Sequence, residues 1–591
     1  MKMKLSMKLS LAAVAAIVAV GTSPVSSSTH EDSDRRRRGR RQQRRRLQID
    51  LNQYADPQSK FIKQTEAAVH HQSEGGMPST SSRPNILYLL LDQWRPDWDG
   101  HHPDTRTGPL PLNMPLLNEM GQRGTRFTQA YVPSPFCGPV RSCMAFGMEY
   151  DATGVPTNSE WSEKRAPGIF QRTTTYKLLR DEGGYHTMTC GKDDFYEWDI
   201  KFPKYATQKH HDTPSVDLGF ADAIRSDGKV RVAKLSDERC KDEPYRTFLN
   251  GITVKTDDGT EIGAREAYKG CMMWHLGAKN RCDATSFQEE IYPDDFVRDR
   301  AIELLDRKPA DKPWFMQVNF PGPHEPIVST SKMAASVMDR KWPDPIDRPG
   351  YLACPQQKRK FQIMNRGKVL PPQIGGRCNY AAELEHLDEL MFSIVKHVEE
   401  MGELDNTIVI VAGDHGENLG DNGASGKGMP WHASISTPLF IMGPGIGEGQ
   451  VHEGPVSTLD LGGTWLDYAD VSNLGPGMTT ASLRSILVGD ITIPRRPYVS
   501  SGYGDWRAVI KEMPTSPEDP TITSYKLICW KSGKTWKYGA PRSATPFPSG
   551  APWHLMLYDT MRDPDDFEPL DQTRPDVIAE LLPLLPEGWC R

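Results

Sequence analysis

Two short apolar runs, each closed by an acid, limit what this chain can fold into more than any other feature. Asn85-Ile-Leu-Tyr-Leu-Leu-Leu91 ends at Asp92, and Thr407-Ile-Val-Ile-Val-Ala412 is followed by Asp414. Runs this apolar leave no face for water, so both read as strands buried on both sides of a parallel sheet. Helical periodicity is predicted over residues 114–123, 173–183, 296–307 and 380–402. The last carries Leu384, Leu387, Leu390, Met391, Ile394, Val395 and Val398 on one face. Further strands are predicted at 125–130, 185–191 and 314–320. The alternation predicts an α/β domain with a mostly parallel central sheet flanked by helices. Ligands of such sheets gather at the carboxyl ends of the strands, where Asp92, His324 and Asp414 all fall.

Beyond residue 495 the pattern changes. Short strands are predicted at 498–502, 506–510, 525–530 and 554–558, with turns between them and a closing helix at 577–585. They predict a smaller C-terminal domain with an antiparallel sheet. The chain divides into 1–23, 24–83, 84–494 and 495–591. The first segment reads as a secretory signal, because Lys2, Lys4 and Lys8 precede an apolar run, residues 9–20, too short for a comfortable membrane span. No later run reaches about 18 apolar residues, so no membrane span is expected after signal cleavage. The expected destination is secreted, extracellular or the lumen of the secretory pathway.

Residues 35–46 hold nine arginines in twelve positions. Such a run binds nucleic acid or another polyanion, or it is a solvated leader outside the fold. Charge favours the leader. Residues 1–46 carry +9 of a total of −6, which leaves −15 on residues 47–591, and an acidic body argues against a nucleic-acid enzyme. The ten cysteines show no CxxC pair, which argues against structural zinc. In an oxidising compartment several should be bridged, with connectivity open.

Asp92 with Gln93, and Asp414 with His415, put oxygen and nitrogen donors just after two buried strands. A lone strand-end Asp often caps the next helix. Two such pairs in one sheet point to a hard divalent cation such as calcium or magnesium. The segment that decides the chemistry is Pro135-Phe-Cys137-Gly-Pro139-Val-Arg141-Ser-Cys143-Met-Ala-Phe-Gly147. It resembles the signature of the formylglycine-dependent sulfatases, within the alkaline-phosphatase-like superfamily, where the Cys of Cys-x-Pro-x-Arg is oxidised to an aldehyde. Phe320-Pro-Gly-Pro-His324-Glu-Pro326, Gly184-Tyr-His-Thr-Met-Thr-Cys-Gly-Lys192, Gly413-Asp-His-Gly-Glu417 and Lys427 ahead of Trp431 are similar to further motifs of that family. Asp388, Asp405-Asn-Thr-Ile408 and Leu557-Tyr-Asp-Thr560 fit as well, so the likeness runs along most of residues 84–570.

The resemblance implies hydrolysis of sulfate esters, a formylglycine made from Cys137 by a formylglycine-generating enzyme, and one divalent metal ion, Ca2+ preferred over Mg2+. It implies Asp92, Gln93, residue 137, Asp414 and His415 as the metal's ligands. In this reading one hydroxyl of the hydrated aldehyde attacks sulfur, and the other later loses its proton, expelling sulfate and restoring the aldehyde. Arg141 would hold the diol, Lys192 and Lys427 the sulfate oxygens, and His324 the leaving oxygen. The substrate is expected to be a sulfated small molecule or polysaccharide. Three departures stand out: Val140 in place of Ser or Ala, Phe146 in place of Thr, and Lys192-Asp193-Asp194 in place of Gly-Lys-x-His. His186, His210 and His211 are candidates to supply the missing histidine. Two other functions fit the same residues: a phosphate or phosphonate ester hydrolase, and a non-catalytic binder of sulfated glycans. The structural alternatives are a buried thiol at Cys137, an ion-paired Arg141, surface lysines at 192 and 427, and a loop histidine at 324.

Overall fold

β1 (Asn85–Asp92) is buried at all eight positions and lies in the middle of a nine-stranded sheet. The computed structural model describes residues 83–590 except 102–109, 159–167, 196–216, 235–242, 256–258, 276–287, 347–350, 353–375, 422–423, 491–494, 517, 532–539, 542–544 and 547–552. The expected signal and the arginine-rich segment lie outside the described residues, as do His210 and His211.

The other strands of the sheet are β2 (Gly124–Tyr131), β3 (His186–Gly191), β4 (Asp222–Arg225), β5 (Trp314–Pro323), β6 (Thr407–Gly413), β7 (Ser436–Met442) and β8 (Gln450–His452). Their order is β8-β2-β7-β6-β1-β5-β3-β4, with the two-residue strand Val456–Ser457 paired to β2. β1 runs parallel to both neighbours, β5 and β6. β3 runs parallel to β5 and β4. β7 is the exception, antiparallel to both β6 and β2. The sheet is therefore mostly parallel, as expected, with one reversed strand that sequence periodicity left unassigned.

The unbroken apolar runs are buried on both sides of the sheet. Leu87, Leu89 and Leu91 of β1 face one core, which includes residues of α1 (Pro115–Arg123), α4 (Pro293–Arg307) and α5 (Gly376–Glu400). Ile86, Tyr88 and Leu90 face the other, with α2 (Cys137–Phe146), α3 (Thr175–Asp181) and α6 (Asp460–Tyr468). Two buried faces explain why the strand shows no alternation.

The C-terminal region forms a second sheet. β9 (Val499–Tyr503), β10 (Trp506–Pro514), β11 (Ile522–Lys531) and β12 (Trp553–Asp559) pair antiparallel in that order. It belongs to the same compact unit, residues 82–591, as the large sheet. A disulfide, Cys529–Cys590, ties β11 to the chain end, and Cys271 is also bridged. No helix among the described residues is long and apolar enough to cross a membrane.

Candidate active site

The Cys-x-Pro-x-Arg spacing becomes meaningful once it is helical. Phe136 is extended, with φ −152° and ψ 132°, and α2 begins at Cys137. Pro139 falls in the first turn, where its missing N–H costs no helical bond. Arg141, four residues after Cys137, then shares its face of the helix. All ten residues of α2 are buried. Val140 and Phe146, two of the three departures, belong to the core beneath the sheet, and the Arg172 guanidinium lies 3.9 Å from the Phe146 ring centre. Packing accommodates them.

Four strand ends deliver the other groups. Leu91 pairs with Gly413, so Asp92 and Asp414 emerge side by side, and the Asp414 N–H donates to the Leu91 carbonyl at 2.9 Å. Lys192 follows β3, its N–H bonded to the Asn319 carbonyl of β5 at 2.9 Å. His324 follows β5 directly. The turn after Asp414 needs a residue without a side chain: a Cβ on Gly416 would lie 2.0 Å from the Ala433 carbonyl oxygen.

The result is a tight, buried cluster. One ligand atom each from Asp92, Cys137, Asp414 and His415 lies within 4.8 Å of the others. The Cys137 Sγ is 3.5 Å from Asp92 Oδ1 and 3.2 Å from His415 Nε2. Lys427 Nζ stands 2.6 Å from the same sulfur and Lys192 Nζ 3.8 Å. That sulfur marks where an oxygen of a converted residue 137 would sit. Lys192 also pairs with Asp92 and, at 3.1 Å, with Asp194.

Burial, then the Asp92 charge, push the Cys137 thiol up to about 12. Against the cost of burial, Lys192, His324, Lys427 and Arg141 hold the Asp92 carboxyl well below the usual range. Burial lowers His415 to about 4, so its imidazole is neutral. Its Nδ1 lies 3.0 Å from the Gly416 carbonyl, which can only accept. The proton is therefore on Nδ1, and the Nε2 lone pair points into the cluster, as a metal-ligating histidine requires.

Gln93 supplies a further donor. Its backbone is left-handed at φ 72°, pinned by its N–H to Asp414 Oδ1 at 2.9 Å and by the Tyr380 hydroxyl donating to its carbonyl at 2.7 Å. The side-chain Nε2 donates to Glu417. Its Oε1 is buried and accepts no hydrogen bond. A strained residue with an orphaned amide oxygen beside two carboxylates and an unprotonated imidazole nitrogen is the donor set a hard divalent cation takes. The residues present fit such an ion.

Arg141 is oriented chiefly on Asp414, with Nε 3.1 Å and Nη2 3.0 Å from Oδ2. Its Nη1 donates to the Lys192 carbonyl at 2.5 Å and to Asn319 Oδ1 at 3.0 Å. His324 is half-buried; burial and the Lys427 charge hold it well below its ordinary value. Its Nδ1 is 2.6 Å from the Glu325 carbonyl, so the neutral ring leaves Nε2 without a proton. His186 opens β3, pairing with Trp314 at the opposite end of the strand from Lys192, and so supplies no histidine here.

Glu417 lies in the Gly413–Glu417 motif, but nothing in the motif reports its bond to Gln93. Two further contributors, Asn319 and Tyr380, have no sequence signal as site residues, nor do the bonds that hold the Lys427 loop. There, Trp506 Nε1 donates to the Gly428 carbonyl at 3.0 Å, and Lys526 pairs with Asp566, which accepts the His432 N–H at 2.8 Å.

Comparison with known proteins agrees with this geometry. The sulfatase family model matches residues 84–471. The chain is 25% identical over 414 residues to an arylsulfatase of Clostridium perfringens (strain 13 / Type A), covering 66% of this chain and 76% of that one. A protein solved with its substrate, D-glucosamine-2-N,6-O-disulfate, shares the fold with a TM-score of 0.56 at 17% identity, over 86% of this chain and 97% of the other. A phosphonate monoester hydrolase from Silicibacter pomeroyi shares it at 0.54 and 19% identity, over 85% and 94%. The chain belongs to the sulfatase family, and its reaction is the hydrolysis of sulfate esters.

Proposed function

We propose that this sulfatase cleaves its ester with a formylglycine made from Cys137, assisted by one divalent cation held by Asp92, Gln93, residue 137, Asp414 and His415. The observation that carries the reading is the convergence of Asp92, Asp414, His415 and two ammonium groups on the single side chain at 137. Calcium suits a set dominated by carboxylate and amide oxygens, and magnesium is the alternative. When bound, the cation supplies Lewis acidity, drawing charge from the sulfuryl oxygens and lowering the pKa of a hydroxyl beside it.

The chain's own residues do the rest. Lys192 and Lys427, each within 3.8 Å of the Cys137 sulfur, are spaced to hold the sulfuryl oxygens and the charge they gain in the transition state. Arg141 locks Asp414 and the Lys192 carbonyl in one fork, so it positions both the cation's ligand and the lysine. His324 can donate from Nε2 only when doubly protonated. A bound sulfate anion favours that form, which then hands its proton to the leaving oxygen. Substrate is a sulfated small molecule or polysaccharide. Residues 1–23 act as a secretory signal, 24–83 as a leader, 84–494 as the catalytic domain and 495–591 as a small subdomain, with conversion of Cys137 by a formylglycine-generating enzyme before release.

Cys137→Ala tests the reading. Sulfate release from an aryl sulfate should fall at least about a thousandfold while the fold is kept, because a covalent nucleophile is lost. Activity retained in that variant refutes the mechanism.

A further inference from the structure

Asp194 stands where the family pattern has histidine, and its surroundings are unusual. The residue is 2% exposed, yet neither carboxylate oxygen accepts a hydrogen bond. Its backbone is left-handed at φ 57°, a conformation that non-glycine residues seldom adopt. Among the described residues its ion-pair partner is Lys192, whose Nζ is 3.1 Å from Oδ2 and also pairs with Asp92. The stem of Lys192 is confined: a Cβ on Gly228 would lie 2.8 Å from its Cδ. A strained, buried, poorly bonded carboxylate costs stability, and such costs concentrate where a charge has work to do.

Three cationic side chains, Arg141, Lys192 and Lys427, face three carboxylates, Asp92, Asp414 and Asp194, through ion pairs. Asp92 and Asp414 would be committed to a divalent cation held there, which would leave Asp194 as the carboxylate paired with Lys192. We propose that Asp194 is a specificity residue: it keeps Lys192 in place when the cation claims Asp92, and its fixed negative charge lets the site accept a singly charged sulfuryl ester over a doubly charged phosphoryl one. The inference rests on sulfate-ester hydrolysis at residue 137. Sulfate monoesters carry one negative charge, whereas phosphate monoesters carry nearly two above their second pKa of about 6. With Asp194 3.1 Å from the Lys192 Nζ on one side, an oxyanion hydrogen-bonded to that ammonium at about 2.8 Å on the other would lie roughly 6 Å from Asp194. One extra unit charge at that distance and an effective dielectric of about 20 amounts to about a hundredfold, and at least about tenfold once Lys192 screens it.

The test is Asp194→Asn, which keeps the shape and tolerates a left-handed backbone, with Asp194→Gly as a second variant. The readout is kcat/KM on matched aryl sulfate and aryl phosphate above the phosphate's second pKa, for the metal-loaded enzyme, with thermal melting alongside. The sulfate-to-phosphate ratio should fall at least about tenfold in both variants, beyond any common loss of rate from a looser Lys192. A ratio unchanged within about twofold, or shifted toward sulfate, overturns the proposal. Collapse of the fold in both variants overturns it too, since Asp194 would then serve folding. A wild-type enzyme that releases no sulfate would instead sink the reading beneath it.

Discussion

Replacing Lys526 with methionine tests how the C-terminal sheet supports the active site. Lys526 projects from β11 with a side chain 0% exposed, and its Nζ is 2.6 Å from Asp566 Oδ1, 2.7 Å from Oδ2 and 3.3 Å from the Pro430 carbonyl. Asp566 is equally buried, sits at φ 57°, and also accepts the His432 N–H. The pair therefore joins the second sheet to the loop that carries Lys427. Lys526→Met fills similar volume and leaves Asp566 charged with one backbone donor. Removing one partner of a buried pair costs about 3–5 kcal/mol, most of it the uncompensated charge. Adding Asp566→Asn removes that charge, and asparagine tolerates the left-handed backbone, so the double variant should regain about half or more of the loss. Denaturant unfolding of the wild type, both single variants and the double variant gives the cycle. Sulfate turnover should fall with the single variant, because the Lys427 loop loses the Lys526 bond to the Pro430 carbonyl and keeps only the His432 bond to Asp566. A single variant within about 1 kcal/mol of wild type, or a double variant no more stable than Lys526→Met, refutes the reasoning.

Burial pushes the Asp294 carboxyl up to about 7, with Lys229 opposing. An acid raised from about 3.9 in the unfolded chain adds stability below about pH 4 that is lost as pH rises to about 7. Asp294→Asn keeps an acceptor for the Gly322 N–H and should flatten stability over that window; parallel urea-midpoint curves for variant and wild type would falsify this. Arg141→Lys offers one ammonium where a fork now serves Asp414, the Lys192 carbonyl and Asn319, so kcat/KM should drop about a hundredfold from two charge-assisted bonds lost; a change under about fivefold contradicts it. Cys590→Ser opens a loop with a sequence separation of 61 and should cost about 4 kcal/mol in non-reducing unfolding; a variant as stable as the wild type counts against that role.

What the sequence made legible follows from locality. Continuous apolar runs placed β1 and β6, and a strand-end rule placed Asp92 and Asp414 at one edge, because burial on both faces leaves a signature within a few residues. The Cys137–Arg141 spacing is also local, one turn of α2. The reversed strand β7 is short and apolar like its neighbours, and direction has no signature of its own. The partners that tune the site come from far along the chain. Tyr380 reaches the Gln93 carbonyl across 287 residues, and Glu417 reaches the Gln93 amide across 324. No spacing rule reports such pairs. Asp194 was visible only as a mismatch, and its strained backbone and unfilled oxygens emerged from the fold.

The proposed chemistry requires the side chain at 137 to be an aldehyde in the working enzyme. Trypsin frees the peptide spanning residues 127–141, which holds Cys137 as its single cysteine, and its mass from native protein reads the side chain directly. Conversion gives a peptide lacking sulfur, lighter by the change of a thiol-bearing methylene to a carbonyl and reactive toward a hydrazide. An intact, alkylatable thiol in protein that releases sulfate at full rate would contradict it.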